Sequence, residues 1–223
     1  MNSTNKLKLH IIWDLDGTLI DSAAEIEETI YRSMDSIGLH NLPKQAPFRS
    51  GPPLDKVLDI MYSQNVLSAE KKSEVIAAFR KNYDNCGFNK TPPFEGIEDI
   101  LRDDNYIHHI VTNKPDLATN RILDKLGWKK YFASVITPYS FMKSSDDRRM
   151  SKSELFAICM ADYADKNFVG IGDMDMDAKA ALAVGIPAIG VLWGTGTKME
   201  LQICNYLVND VQSLNIVLSN ICN

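Results

Sequence analysis

Short apolar runs alternate along the chain with stretches in which apolar residues recur every three or four positions. A short, nearly continuous apolar run predicts a buried strand, and the recurring spacing predicts helices. Strands of this kind are typical of a parallel sheet covered by helices on both faces. The sequence therefore predicts an α/β fold, a doubly wound, Rossmann-like parallel sheet. The predicted strands are Leu7–Asp14, Ile107–Val111, Ala133–Ile136, Phe168–Ile171 and Ala188–Trp193, and the helices between the later strands are Asp116–Leu126, Ser153–Tyr163 and Asp175–Val184.

More than ninety residues separate the first predicted strand from the second, far more than one crossover helix requires. Helical spacing recurs within this segment at Ala23–Ile37, Leu54–Tyr62 and Ala69–Tyr83. Two prolines near residue 92 favour an extended linker at its far end. We therefore expect a small α-helical domain, residues 22–91, inserted into an α/β core formed by residues 1–21 and 92–223.

Charge and cysteine content argue against several classes of protein. The 223 residues have a formal net charge of −5, so a broad basic surface for nucleic acid or anionic lipid is not expected. The longest uncharged stretch, Ala180–Thr197, contains Pro187 and four glycines, which fits a turn and a strand better than a membrane helix. Widely spaced cysteines and no secretory signal predict a cytoplasmic protein with reduced thiols.

Two aspartates end the first predicted strand in the sequence Asp14-Leu15-Asp16-Gly17-Thr18. Residues i and i+2 of a strand lie on one side, so Asp14 and Asp16 can face the same cleft. The carboxyl ends of strands are where open α/β sheets bind ligands. An isolated pair of this kind also occurs in ordinary polar turns, so the motif needs support from elsewhere in the chain.

A second acidic group, Gly172-Asp173-Met174-Asp175-Met176-Asp177, follows another predicted strand. Helix capping alone could account for one or two of these acids. A calcium loop is excluded, because its sixth position is Ala178 instead of glycine and its twelfth is Val184 instead of glutamate. Carboxylates from both strand ends would repel one another by roughly 4 kcal/mol per pair at 4 Å, so the cluster needs a cation. All-oxygen ligands favour Mg²⁺.

Polar groups elsewhere would complete a phosphate site. Thr112 and Asn113 end the second predicted strand, and Lys152 precedes a predicted helix. Each is weak evidence alone, because polar turns and surface lysines are common. Beside a metal-bound phosphoryl group, however, further cationic and hydrogen-bonding groups are needed.

The ordered set DLDGT, TNK, Lys152 and GDMDMD resembles the haloacid dehalogenase superfamily of phosphohydrolases over essentially the whole chain. Phe48–Leu54 looks like the cap loop of phosphoglycolate-phosphatase-like members, and Gly190–Gly194 through Glu200-Leu201 is similar to that subgroup's closing segment. Dehalogenases lack an acid two positions after the nucleophile, so Asp16 argues against that chemistry.

This resemblance implies a role for each acid. Asp14 would be the nucleophile that forms an aspartyl-phosphate, and Asp16 would protonate the leaving oxygen and then activate water. Mg²⁺ would be held by the Asp14 carboxylate, the Asp16 backbone carbonyl and Asp173, with Asp177 binding directly or through water. The helical insert would be a cap that closes over the site.

The resemblance also implies a phosphate-binding set and a substrate class. Thr112 and the backbone at Asn113 would hold phosphate oxygens, and Lys152 would neutralise the phosphate and Asp14. The expected function is Mg²⁺-dependent hydrolysis of a small phosphorylated metabolite, with phosphoglycolate as one candidate. Arg49 could then bind a substrate carboxylate, although a solvent-exposed loop arginine is an equally good interpretation. We expect a monomer or a homodimer.

Two alternatives remain open at the level of sequence. A phosphomutase of the β-phosphoglucomutase type would use the same core and a similar cap. A catalytically idle binding protein could keep the fold, but it would have no need of mutually repelling acids at positions 14, 16, 173 and 177.

Overall fold

The computed structural model of the chain describes residues 8–140, 150–163 and 167–222. The described residues divide into two compact units. The first comprises the described chain up to Ile20 and from Pro93 onward, and the second is Asp21–Pro92. The second unit therefore coincides, to within one residue at each end, with the segment in which helical spacing interrupts the α/β pattern.

The first unit is built on a parallel sheet with strand order β3-β2-β1-β4-β5-β6. The chain winds outward from β1 in one direction to β3 and then returns to continue from β4 in the other direction. This reversal makes the fold doubly wound, as predicted from the sequence. The strands are β1 Leu9–Trp13, β2 Tyr106–Val111, β3 Phe132–Ile136, β4 Phe168–Gly172, β5 Ala188–Val191 and β6 Tyr206–Val208.

Helices of the described residues surround the sheet or form the second unit. In chain order they are α1 Ala23–Ser36, α2 Leu54–Met61, α3 Ala69–Asp84, α4 Ile97–Leu101, α5 Asp116–Leu126, α6 Lys152–Ala161, α7 Asp175–Ala183 and α8 Val211–Cys222, with 3₁₀ turns at Lys129–Tyr131 and Glu200–Ile203. None of them is both long and apolar enough to cross a membrane.

The sequence pattern finds five of the strands and misses β6, together with α4 and α8. β6 has three residues and lies at the edge of the sheet, so Tyr206 is exposed and Leu207 is half-buried. A strand this short and this exposed lacks the continuous apolar run that marks the central strands. The predicted set of strands is therefore incomplete at this edge.

The centre of the sheet is packed on both faces. Every residue of β1 and β4 is buried, and Ile11, Ile12 and Trp13 have no solvent exposure. Gly170 allows close packing beneath β4, since a Cβ there would lie 2.9 Å from the Phe156 ring and 2.8 Å from Ala181. Complete burial of an isoleucine contributes about 1.5–3 kcal/mol, so this layer supplies much of the stability of the first unit.

The second unit has its own apolar core between α1, α2 and α3. Its members include Ile30, Leu58, Met61 and Val75, all of which are buried. The N-terminus of α3 is capped by the Ser68 hydroxyl, which accepts a hydrogen bond from the Lys71 N–H. The apolar core and the hydrogen bond at the start of α3 both stabilise this unit, whose described residues form helices and no strand.

Three histidines are buried inside the first unit and hydrogen-bond to neighbouring side chains. The Trp13 Nε1–H donates to His108 Nδ1 at 3.0 Å, so this nitrogen must be unprotonated. His10 Nδ1 and His109 Nε2 are 3.0 Å apart and must share one hydrogen. Burial lowers the pKa of His108 to about 4 and that of His109 to about 4. The unfolded chain binds protons at these positions at a higher pH than the folded chain does.

We predict that His108 makes the first unit less stable as the pH falls from about 6.5 toward 4. Between pH 7 and pH 5 this histidine should lower the free energy of unfolding by about 2 kcal/mol, because only the unfolded state takes up the proton. Asn at position 108 keeps an acceptor near Nδ1 and does not titrate. The pH dependence of urea unfolding, followed by tryptophan fluorescence, should therefore be smaller by that amount in His108→Asn. The exposed His40, in His40→Asn, is the control; equal pH dependence in His108→Asn and the parent would contradict the prediction.

Candidate active site

The turn after β1 brings Asp14 to the middle of the sheet edge. The Asp14 N–H donates to the Ile171 carbonyl at 2.9 Å, so Asp14 continues the ladder between β1 and β4. The chain then turns at Gly17, which has a φ of +80° that most other residues avoid. A Cβ on Gly17 would also overlap the Asp173 carboxylate. Glycine is therefore required for this turn to approach the next acidic group.

The end of β4 supplies two further acids. Asp173 directly follows β4, and Asp177 lies in the first turn of α7, where its Oδ2 accepts a hydrogen bond from the Met174 N–H at 2.9 Å. Gly172 provides the room, because a Cβ there would overlap the Asp177 side chain. A carboxylate in the first turn also interacts favourably with the helix dipole.

Asp14, Asp173 and Asp177 form a buried acidic cluster whose potential ligand oxygens all lie within 4.8 Å of one another. Mg²⁺, with metal–oxygen bonds of 2.0–2.1 Å, joins oxygens up to about 4.2 Å apart, so a small contraction would let one ion bind all three. All three residues offer carboxylate oxygens, which are the ligands that Mg²⁺ prefers. The cluster therefore fits a hard divalent cation.

Burial makes this acidic cluster hold protons more tightly than exposed acids do. Burial, with a further contribution from Asp177, raises the pKa of Asp14 to about 7, although Lys152 opposes the shift. Burial and the charge of Asp14 raise the pKa of Asp173 to about 6, and burial also raises the pKa of Asp177. Without a cation, the contribution of these acids to stability therefore falls as the pH rises from about 4 through 7, because the unfolded chain releases these protons first. This trend is opposite in sign to that of His108 and His109.

Lys152 is the cation that the fold itself places in the acidic cluster. It is the first residue of α6, which begins with a capping box formed by Ser151 and Glu154. Its Nζ lies 2.6 Å from Asp14 Oδ1 and forms an ion pair with Asp177. Burial lowers the pKa of Lys152, but the two carboxylates outweigh burial and hold the pKa above its ordinary value. When all three acids are ionised, one ammonium balances one of the three carboxylate charges. The remaining two negative charges could be balanced by a divalent cation.

Asp16 has a different partner from Asp14. The Lys114 Nζ donates to both oxygens of the Asp16 carboxylate, at 2.9 Å and 3.1 Å. The Lys114 side chain is 3% exposed and that of Asp16 is 20% exposed. Lys114 belongs to the predicted Thr112-Asn113-Lys114 motif but was not among the predicted site residues. The signal that could have found Lys114 is its position three residues after β2, the strand that lies next to β1 in the sheet.

Thr112 and Asn113 lie at the end of β2. The Thr112 N–H donates to the Ile136 carbonyl at 3.1 Å, and its Oγ1 accepts a hydrogen bond from the Lys114 N–H at 3.2 Å. The Asn113 side chain contacts Met176 at 3.2 Å. Arg49 belongs to the other compact unit, in the loop that precedes α2. Its role as a substrate ligand remains a prediction.

A segment after β5 contacts the acidic cluster although the sequence did not suggest it. Both the backbone N–H and the hydroxyl of Thr195 donate to Asp173 Oδ2, each at 2.8 Å. The Trp193 Nε1–H donates to the Thr18 carbonyl at 3.1 Å. Residues 193–196 therefore pack against the ends of both β1 and β4.

Comparisons with known proteins agree with this geometry. Residues 11–191, from within β1 to the end of β5, match the family model of haloacid dehalogenase-like hydrolases. The phosphoglycolate phosphatase of Xanthomonas campestris pv. campestris (strain 8004) is 28% identical over 191 residues, which cover 82% of this chain and 83% of that protein.

Two further relatives differ from each other in their described activities. The tyrosine-protein kinase PtkA of Mycobacterium tuberculosis (strain ATCC 25618 / H37Rv) is 30% identical over 193 residues, 83% of this chain, which spans 62% of the kinase. The structure of a predicted phosphatase from Clostridium acetobutylicum is 26% identical and superposes with a TM-score of 0.77, covering 96% of this chain and 99% of that one.

We predict that Asp173→Asn stabilises the metal-free protein at pH 8 and abolishes its response to Mg²⁺. Removal of one charge from the buried acidic cluster should raise stability by about 1–2 kcal/mol, or roughly 2–8 °C in Tm. Thermal unfolding in EDTA and in Mg²⁺ measures both effects. Asp175→Asn is the control, since Asp175 begins the same helix but pairs with Lys179. A Mg²⁺-induced rise in the Tm of Asp173→Asn equal to that of the parent would contradict the prediction.

Proposed function

The chain belongs to the haloacid dehalogenase-like hydrolase family, and we propose that it is a Mg²⁺-dependent phosphatase that hydrolyses a small phosphomonoester through a phosphorylated Asp14. The observation that carries this proposal is the buried cluster of Asp14, Asp173 and Asp177 beside Lys152. A purely structural role does not explain three mutually repelling acids in one place. The relatives described as phosphoglycolate phosphatases support the same reaction class.

Asp14, Asp173 and Asp177 would hold the magnesium ion, together with the backbone carbonyl of Asp16. When bound, Mg²⁺ would neutralise charge that develops on the phosphoryl oxygens. The nucleophilic oxygen of Asp14 must carry no proton. Because Lys152 lies 2.6 Å from Asp14 Oδ1, it favours the charged carboxylate that the first step needs.

In the first step, an oxygen of Asp14 would attack phosphorus, and the bond between phosphorus and the leaving oxygen would break. Asp16 would give its proton to that oxygen, so the alcohol leaves neutral. Lys114 Nζ donates hydrogen bonds to both oxygens of the Asp16 carboxylate. This contact must therefore loosen when Asp16 carries the proton.

In the second step, the Asp16 carboxylate would take a proton from water while the water oxygen attacks phosphorus. The bond between phosphorus and Asp14 then breaks, which releases phosphate and restores the Asp14 carboxylate. The contact with Lys114 orients the Asp16 carboxylate for this step. Hydrolysis thus needs both forms of Asp16 in turn.

Thr112 and Asn113 would bind the phosphoryl oxygens. The Thr112 Oγ1 already accepts a hydrogen bond from the Lys114 N–H, so its own hydrogen is directed elsewhere and can be donated. The substrate's far end remains to be identified, with phosphoglycolate as the first candidate and Arg49 as a proposed carboxylate ligand.

A phosphate-release screen tests the proposed function. It should include phosphoglycolate, sugar phosphates, nucleotides and p-nitrophenyl phosphate, each with Mg²⁺ and with EDTA. We expect free phosphate to appear only with Mg²⁺. Isomerised sugar phosphate instead of free phosphate would favour a mutase. No turnover of any compound, with unchanged ligand binding by Asp14→Asn, would favour a binding protein.

We predict that Asp14→Asn reduces kcat/KM by about 10³-fold or more, because an amide cannot replace the nucleophilic carboxylate. Rapid acid quench during turnover of ³²P-labelled substrate should give a labelled parent protein and an unlabelled variant. Asp175→Asn should retain both labelling and rate. Labelling of Asp14→Asn at the level of the parent would assign the nucleophile elsewhere.

We also predict that Asp16→Asn lowers kcat for an alkyl phosphate by about 10²–10⁴-fold, the usual contribution of a general acid and base. The rate of the first step should fall less with p-nitrophenyl phosphate, whose leaving oxygen needs little protonation. A quenched-flow measurement of p-nitrophenol release separates this step from hydrolysis of the phosphorylated enzyme. Equal losses of first-step rate with both substrates would show that Asp16 is not the acid.

A further inference from the structure

The loop that follows β5, residues Trp193–Gly196, wraps around one carboxylate of the acidic cluster. We call this segment the β5 loop. It belongs to the same compact unit as the acids, and it approaches them from a strand that contributes no acid of its own to the cluster. The loop lies outside the motifs from which the site residues were predicted.

Thr195 in the β5 loop supplies two hydrogen bonds to one carboxylate oxygen of Asp173. The backbone N–H and the hydroxyl both donate to Oδ2 at 2.8 Å. The hydroxyl also lies 3.7 Å from the Met174 sulfur, but a carboxylate is much the stronger acceptor. With Oδ2 held from two directions, the plane of the Asp173 carboxylate is constrained.

Thr18 holds the other oxygen more loosely. Its hydroxyl donates to Asp173 Oδ1 at 3.3 Å, near the upper limit for such a bond. Asp173 itself has no solvent exposure, so water does not compete for these positions. Both hydrogen bonds from Thr195 to Asp173 are shorter than the one from Thr18.

The glycines on either side of Thr195 make this approach possible. A Cβ at Gly194 would overlap both the Asp173 side chain and the Gly17 carbonyl oxygen, and a Cβ at Gly196 would overlap the Asp173 carbonyl oxygen. Any larger residue at these positions would push Thr195 away from Asp173. Glycine at positions 194 and 196 therefore allows Thr195 to hydrogen-bond to Asp173.

We propose that Thr195 is a positioning residue that orients the Asp173 carboxylate for binding Mg²⁺. This inference rests on the proposed function, because it assumes that Asp173 is a metal ligand. A carboxylate held in its binding orientation loses less conformational freedom when the ion arrives. Hydrogen-bond partners of metal ligands commonly change metal affinity by 10–100-fold when they are removed.

The test compares three variants of the full chain. Thr195→Val keeps the shape but removes the hydroxyl, Thr195→Ser keeps the hydroxyl, and Thr197→Val removes a nearby hydroxyl that contacts Glu200 instead of Asp173. Isothermal titration with Mg²⁺, without substrate, gives the Kd of each. Thermal unfolding in EDTA reports any loss of stability separately, and phosphate release is measured as a function of Mg²⁺ concentration.

We expect Thr195→Val to bind Mg²⁺ about 10-fold more weakly than the parent. Its kcat should approach that of the parent at saturating Mg²⁺, and Thr195→Ser and Thr197→Val should bind Mg²⁺ normally. A lower Tm of Thr195→Val in EDTA with an unchanged Kd would show a merely structural contact and would overturn the proposal. If the parent hydrolyses phosphomonoesters and binds Mg²⁺ with the same Kd as Thr195→Val, the inference fails while the proposed function survives. A parent without affinity for Mg²⁺ would overturn both.

Discussion

Mutual repulsion among Asp14, Asp173 and Asp177 is the constraint on which the structure of the site depends. Like charges about 4 Å apart cost roughly 4 kcal/mol per pair at an effective dielectric constant near 20, and burial adds to this cost. Lys152 offsets only part of it, since one ammonium pairs with two of the three acids. The buried layers of β1 and β4 must therefore supply stability that the acidic cluster removes. A bound divalent cation would restore the charge balance, so ion binding would raise the stability of the first unit.

The topology of the sheet determines which residues meet at the acidic cluster. β1 and β4 are neighbours although more than 150 residues separate them, and Trp13 is paired with Ile171 across the two strands. Asp14 directly follows Trp13, and Asp173 lies two residues after Ile171, so both acids leave the sheet close together at its carboxyl edge. β2 lies on the other side of β1, which brings Lys114 within reach of Asp16. Parallel strands thus bring side chains from distant parts of the sequence to one edge.

Sequence patterns predict the strands and the acids well because both depend on local chemistry. An apolar run followed by aspartates marks β1 and β4 without knowledge of their neighbours. Pairing depends instead on tertiary structure, so the bidentate contact of Lys114 with Asp16 and the contact of Thr195 with Asp173 could not be deduced. Glycine at position 194 or 196 suggests a turn in any sequence, and only the structure shows that an acid occupies the space. β6 was missed because three residues form no recognisable pattern, whereas α8 carries apolar residues at helical spacing, Val211, Leu214, Leu218 and Ile221, and could have been predicted.

The two aspartates of the first motif show how neighbouring acids come to have different environments. Asp14 is buried among other acids and has its pKa raised to about 7, whereas Asp16 is more exposed and is held by both oxygens to Lys114. Pairs of acids in contrasting environments are the usual basis for dividing nucleophilic and acid–base roles. The raised pKa of Asp14 alone would make it the better proton donor of the two, so its proposed role as nucleophile requires Lys152 and a bound cation to keep its carboxylate charged. The contrast between the two acids follows from partners on different strands, since β4 and α7 surround Asp14 with carboxylates and the end of β2 supplies the lysine for Asp16.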